Sequence, residues 1–227
     1  MSEKLYFGSA RHDERGRLTG GAAGDQTGQE VMEQAGYVHK YGWDILRPKN
    51  RAFALRLAGA MITACKNKNI GYDQNQRSGI IKYGVDSDTP TEADCGTTVR
   101  ACCIKAGMDP GEFSTGNERK VLLATGAFDY IPFTGLGSLR VGDVLVTKKK
   151  GHTVIVTRGR TRNECYPAYK GYTVSIIDAL KAVGEKDTSF KHRALIADQN
   201  NIMYYSGTAK QNRDMLQMLK EGRLEKV

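Results

Sequence analysis

The feature that most restricts the fold is a change of hydrophobic period near residue 139. Before it, apolar residues recur at helical spacing. Residues 51–67 carry Phe53, Leu55, Leu57, Ala58, Met61, Ile62 and Cys65 near that spacing, and residues 95–107 carry Val99, Cys102, Cys103 and Ala106 on one face. Gly107 is placed to cap the second of these helices, and residues 117–125 predict a shorter third. After it, Leu139–Thr147 is rich in β-branched residues and turns at Gly142-Asp143. Lys148–Gly151 is a polar turn, and His152-Thr-Val-Ile-Val-Thr157 reads as a strand. Two strands joined by a short polar turn predict an antiparallel hairpin. Helices followed by strands predict an α+β unit in which a central antiparallel sheet packs on helices.

The flanks are less regular. Residues 8–30 are glycine-rich and polar and predict a long loop, of the kind that often carries function. Residues 37–47 look extended and end at Pro48 and Asn50. A break at Tyr166-Pro167 through Gly171 precedes three short helical segments, 173–183, 188–199 and 207–221. Thr208 and Gln211 have the spacing of a capping box. The expected division is a main domain over 1–165 and a small three-helix module over 166–227. The alternative is a C-terminal extension of the main domain.

The chain of 227 residues is long enough to bury a core without staples. No stretch reaches the ~18 apolar residues that a membrane span needs, so no stable membrane insertion is expected. The opening residues lack an apolar core and a small-residue cleavage site, so no secretory signal is expected and synthesis in a cytoplasm is. Five cysteines, an odd number without zinc-ribbon spacing, argue against a disulfide framework and a structural metal. A net charge of +9 favours anionic partners. No aromatic-and-basic RNA signature accompanies it, so nucleic acid is not the expected one.

Cys95 lies in Glu92-Ala-Asp-Cys-Gly-Thr-Thr98, immediately before an apolar helical run. At a helix start the unpaired N–H groups and the dipole are expected to lower a thiol's pKa. His152 follows Gly151 and opens a strand, which sets an imidazole at the end of a sheet. A thiol at a helix start and an imidazole at a strand start make a nucleophile–base pair.

Asp94-Cys95, Leu139-Arg-Val-Gly-Asp143 and Gly151-His-Thr-Val-Ile-Val156 together resemble the papain-like NlpC/P60 family and its CHAP relatives, which hydrolyse bacterial peptidoglycan. The family often has serine after the cysteine, where this chain has Gly96. Ile70-Gly-Tyr-Asp-Gln74 resembles a cleft-lining tyrosine segment. Gly24-Asp-Gln-Thr-Gly28 with Glu30-Val31 resembles a glycine-rich segment of Gram-positive phage endolysins. The C-terminal stretch, with Ile177-Asp-Ala-Leu and Tyr205-Ser-Gly-Thr-Ala-Lys-Gln-Asn212, resembles their wall-binding modules.

The resemblance implies a papain-like fold and an amide hydrolase of the Gram-positive wall, with Cys95 as nucleophile and His152 as base. It would be made in the host cytoplasm and act on the wall after release. It implies a third polar group about a dozen residues beyond the histidine, Glu164 first and Asn163 second. Tyr72, Asp94, Asp25 and Gln26 are candidate substrate-binding residues; Asp25 and Gln26 would otherwise stabilise their loop. The mechanism calls for no cofactor and no metal. The scissile bond is either the amide to L-alanine or a peptide bond of the stem. His12, His39 and His192 are expected to be surface or structural. Two other readings remain: a wall-binding protein with a degenerate hydrolase domain, and an intracellular cysteine protease.

Overall fold

The computed structural model describes residues 4–149, 151–161 and 163–227. The chain forms two compact units, Met1–Thr161 and Arg162–Val227. The first unit begins with three strands, β1 (Tyr6–Ala10), β2 (Val31–Ala35) and β3 (Trp43–Pro48). Then come α1 (Arg51–Lys66), β4 (Ile70–Tyr72), α2 (Gly79–Tyr83), β5 (Thr91–Ala93), α3 (Cys95–Ala106) and α4 (Glu118–Ala124). It closes with β6 (Phe128–Pro132), β7 (Val144–Thr147) and β8 (Thr153–Arg158). Six strands form one sheet in the order β2-β1-β8-β7-β3-β6, antiparallel at every pairing. β4 and β5 pair separately and in parallel.

The expected helices and the β7–β8 hairpin are present. Lys150 of the expected turn lies outside the described residues. The order of helices first and strands second is corrected, because three strands precede α1. Residues 8–10, expected in a loop, belong to β1, one strand in from the sheet edge. Their pattern was obscured by Gly8 and Ser9, small residues that suit the close approach of α1: a Cβ on Gly8 would lie 2.4 Å from Met61 Cγ. The expected strand over 139–147 starts only at Val144, because Gly142 turns the chain with φ +89. A side chain there would meet the Ala54 carbonyl oxygen at 2.4 Å, so glycine is required.

The period-2 alternation of the sheet sorts two cores. Leu46, Val144, Val146 and Ile155 pack with Leu57 and Met61 of α1 and with Val99, Cys102 and Cys103 of α3. Phe7, Trp43, Ile45, Leu145, Val154 and Val156 form the opposite core. Each such side chain contributes about 1.5–3 kcal/mol by leaving water. Arg47 and Asp143 form a buried bidentate pair, with Nε–Oδ1 at 2.8 Å and Nη2–Oδ2 at 2.7 Å. That pair ties β3 to the turn feeding β7.

The second unit contains α5 (Ile176–Ala182), α6 (Phe190–Gln199) and α7 (Ala209–Lys220). Ile176, Leu180, Ile196, Met215, Leu216 and Leu219 form its core. The Thr208–Gln211 capping box is formed, and Cys165 bridges to Glu225 near the chain end.

Candidate active site

Cys95 is the first residue of α3. Asp94 caps the helix: its carboxylate accepts the Thr97 N–H at 2.7 Å, while the Thr97 hydroxyl accepts the Asp94 N–H at 2.9 Å. Arg77 Nη1 lies 3.0 Å from the same carboxylate. β5 runs directly into this cap, and its pairing with β4 sets Tyr72 opposite Ala93. The nucleophile candidate is thus held by a cap, an ion pair and a strand.

The thiol is buried, and burial is the main force on it. Together with the nearby Asp94 and Glu118 carboxyls, burial pushes its pKa up to about 12, against the backbone N–H groups of Thr153 and Gly96. The expected lowering by the helix start is therefore overturned. A helix terminus contributes about 0.3–1 kcal/mol, less than one pH unit, and cannot offset desolvation of this size. The Thr153 N–H is informative for another reason: it brings the sulfur to the head of β8, one residue from His152.

His152 sits at the sheet end where β7 finishes and β3 starts. Its carbonyl accepts the Thr147 N–H at 3.0 Å, and Thr147 pairs with Trp43. The imidazole packs on Trp43, with ring centroids 6.4 Å apart. Burial lowers its pKa to about 4, with Arg11 and His39 adding to the effect. Nε2 is buried without a hydrogen-bond partner. The thiol and the imidazole are therefore both neutral near neutral pH.

Tyr72 is buried, its hydroxyl accepting from Gln74 Nε2 at 3.2 Å. Burial, with Cys95, Asp94 and Asp73 nearby, raises its pKa to about 12. Asp25 pairs with Arg15 at 2.8 Å and accepts the Ala22 N–H. Gln26 accepts the Gly24 N–H and donates to the Lys68 carbonyl. Asp25 thus holds its own loop together, and Gln26 also ties that loop to the segment after α1. Glu164 and Asn163 do not lie on a strand, because β8 ends at Arg158. They belong to the second unit, where Glu164 is exposed 3.7 Å from Lys226 and Asn163 donates to the Lys226 carbonyl. The strand expected to carry them is too short, which corrects their register.

Several neighbours of the site were missed from sequence. Tyr37, His39 and Trp43 form an aromatic cluster beside His152; with Tyr41 they alternate strictly, and that was the available signal. Asp73 accepts the N–H groups of Gly20 and Gly21 at 2.7 and 3.0 Å, pinning the glycine-rich loop to β4. Glu92 is 2% exposed with both carboxyl oxygens unpartnered. Burial, with Asp25, Asp73, Glu14 and Asp13 around it, pushes its pKa up to about 7. Glu118 is fully buried beside Thr153. No sequence pattern marks either glutamate. Among the described residues no group of three His, Cys, Asp or Glu could hold a metal ion, and no described helix is long and apolar enough to cross a membrane.

One hollow, lined by Arg77, Thr97, Arg100 and Phe113, runs beside the first turn of α3. Another, lined by Thr115, Asn117, Arg119, Thr147 and Lys148, borders the turn before β8. No curated protein and no solved structure matches the chain. The description "endolysin-like domain" matches residues 7–162.

Proposed function

The chain belongs to the endolysin-like domain family, and on that premise we propose that it is a phage-type endolysin that hydrolyses an amide bond of bacterial peptidoglycan, with Cys95 as nucleophile and His152 as base. The observation that carries this reading is the position of the Cys95 sulfur at the N–H of Thr153, the residue after His152. His152 takes the thiol proton as sulfur attacks the amide carbonyl. The oxyanion is received by the Cys95 N–H at the helix start. Collapse breaks the C–N bond, and His152 hands its proton to the leaving amine. Water, activated by the same imidazole, then releases the acyl group.

The papain-like NlpC/P60 arrangement is part of the proposal, supported by a helix-borne cysteine packed on an antiparallel sheet. Trp43, on which the imidazole packs, takes over the orienting role expected of Glu164 or Asn163. Tyr72 and Asp94 wall the nucleophile, and Asp25 and Gln26 shape the loop beside it. The hollows are lined by Lys82, Lys120 and Lys148, beside the acidic Asp44 and Glu112 and the ion-paired Arg77, Arg100 and Arg119. The lysine charge suits the carboxylates of a wall stem peptide. The second unit serves as the wall-binding module; Tyr172 and Tyr204, 98% and 92% exposed, offer it aromatic contacts. The protein is made in the host cytoplasm and acts on the wall after release.

Clearing of Gram-positive walls, set beside hydrolysis of casein, tests this. Wild type clears walls and leaves casein intact, while Cys95→Ala and His152→Ala cleave neither. Casein cleavage without wall clearing would favour a protein-directed protease.

A further inference from the structure

Glu118 carries a buried carboxyl that the thiol–imidazole chemistry leaves unused. It opens α4 and is 0% exposed. Its Oε1 lies 2.7 Å from Thr153 Oγ1, and the same hydroxyl lies 3.0 Å from the Leu145 carbonyl oxygen. A hydroxyl has one proton to give. A carbonyl oxygen only accepts, and so does a carboxylate. If Glu118 were ionised, one of these two contacts would set oxygen against oxygen with no proton between. Both are satisfied when Glu118 holds a proton on Oε1: it donates to Thr153, and Thr153 donates to Leu145.

The other oxygen agrees. Glu118 Oε2 is buried without a partner. That costs about 1–3 kcal/mol for a neutral acceptor and more for a charged one. Burial also pushes the carboxyl up to about 8, with Thr153 opposing and Asp94 adding. Asp94, Cys95 and Cys103 of the α3 segment face it, as does Thr153 of β8. The charged groups of β3 and β6 are engaged elsewhere: Asp44 with Arg119, Arg47 with Asp143, and Asp129 with Lys49.

Thr153 is the residue whose N–H meets the Cys95 sulfur and whose neighbour is His152. We infer that Glu118 is a positioning residue of this pair, a neutral acid that fixes the head of β8 through a donated hydrogen bond and whose loss of that proton disables the site. Ionised, it breaks the donor chain and sets a negative charge beside the sulfur whose proton must leave as it attacks. The inference rests on the reading of Cys95 as nucleophile.

The test uses the full chain and two readouts across pH: wall hydrolysis, and alkylation of Cys95 by iodoacetamide followed at the Cys95 peptide. Glu118→Gln keeps a neutral donor that cannot ionise. It is expected to hydrolyse walls within about threefold of wild type near neutral pH, and to keep its activity at about pH 9, where wild type falls by about tenfold. Its Cys95 alkylation should match wild type near about pH 6.5 and run about threefold or more faster above about pH 8.5. Glu118→Ala, checked for folding by Trp43 fluorescence, should lose hydrolysis at neutral pH. If it does not fold, the glutamine variant alone decides. The same alkaline fall and the same alkylation profile in Glu118→Gln and wild type would overturn the inference. Undiminished hydrolysis by Cys95→Ala would instead overturn the functional reading, leaving the alkylation comparison to judge Glu118.

Discussion

Replacing Asp143 by asparagine keeps the size of the side chain but removes its charge and one of its two acceptor oxygens. Arg47, with 5% side-chain exposure, then loses the carboxylate that meets both its Nε and its Nη2, while Nη2 still donates to the Ser138 carbonyl. Asp143 also accepts the Arg140 N–H at 2.8 Å, so the turn loses its strongest acceptor as well. Breaking a buried pair from one side costs about 3–5 kcal/mol, because the remaining charge stays desolvated. With a urea slope of about 2 kcal/mol per molar, the midpoint falls by about 2 M. The comparison is Arg158→Ala, which breaks an ion pair with Glu33 from a side chain 54% exposed and should cost about 1 kcal/mol or less. Trp43 is the only tryptophan of the chain and is fully buried in the first unit, so its fluorescence follows that unit alone. A loss below about 1 kcal/mol in Asp143→Asn would refute the reasoning, since the buried Arg47–Asp143 pair would then contribute no more than an exposed one.

Two further outcomes are expected. The folded state holds the Glu92 proton more tightly than the unfolded chain does, its pKa being about 7 against an ordinary 4.5. That stabilisation is fully present below about pH 4.5 and is lost as pH rises through about 7. Thermal unfolding followed at Trp43 should therefore show a decline across this window that Glu92→Gln reduces; an unchanged decline would mean that Glu92 is not the group. Deleting residues 162–227 should weaken sedimentation with purified walls while leaving the first unit folded. Full wall binding by the truncated chain would remove the second unit's role.

Long periodic segments were legible in the sequence because burial of one face dictates them: α1, α3, the β7–β8 hairpin and the three C-terminal helices. β1 and β2 were not, because Gly8, Ser9, Glu33 and Gln34 replace the expected apolar alternation, and their pairing partners lie far along the chain. The places of Cys95 at the start of α3 and of His152 just before β8 were legible from the apolar runs that follow them. The protonation of the thiol was not, since a helix start is local and visible whereas burial by α4 and the sheet is tertiary. Glu118 escaped for the same reason: a glutamate in the first turn of a short helix ordinarily faces water, and only the fold turns this one onto Thr153. The dozen-residue spacing led to Glu164 and Asn163, which lie beyond β8 because that strand ends at Arg158.

The most direct test of the account is mass spectrometry of purified Gram-positive peptidoglycan incubated with wild type and with Cys95→Ala. The account predicts new amine and carboxyl ends at a single type of amide bond, present with wild type and absent with the variant, and those ends identify the bond. Equal fragments from both proteins would contradict a cysteine mechanism. No fragments from folded wild type across several wall chemotypes would contradict hydrolysis itself.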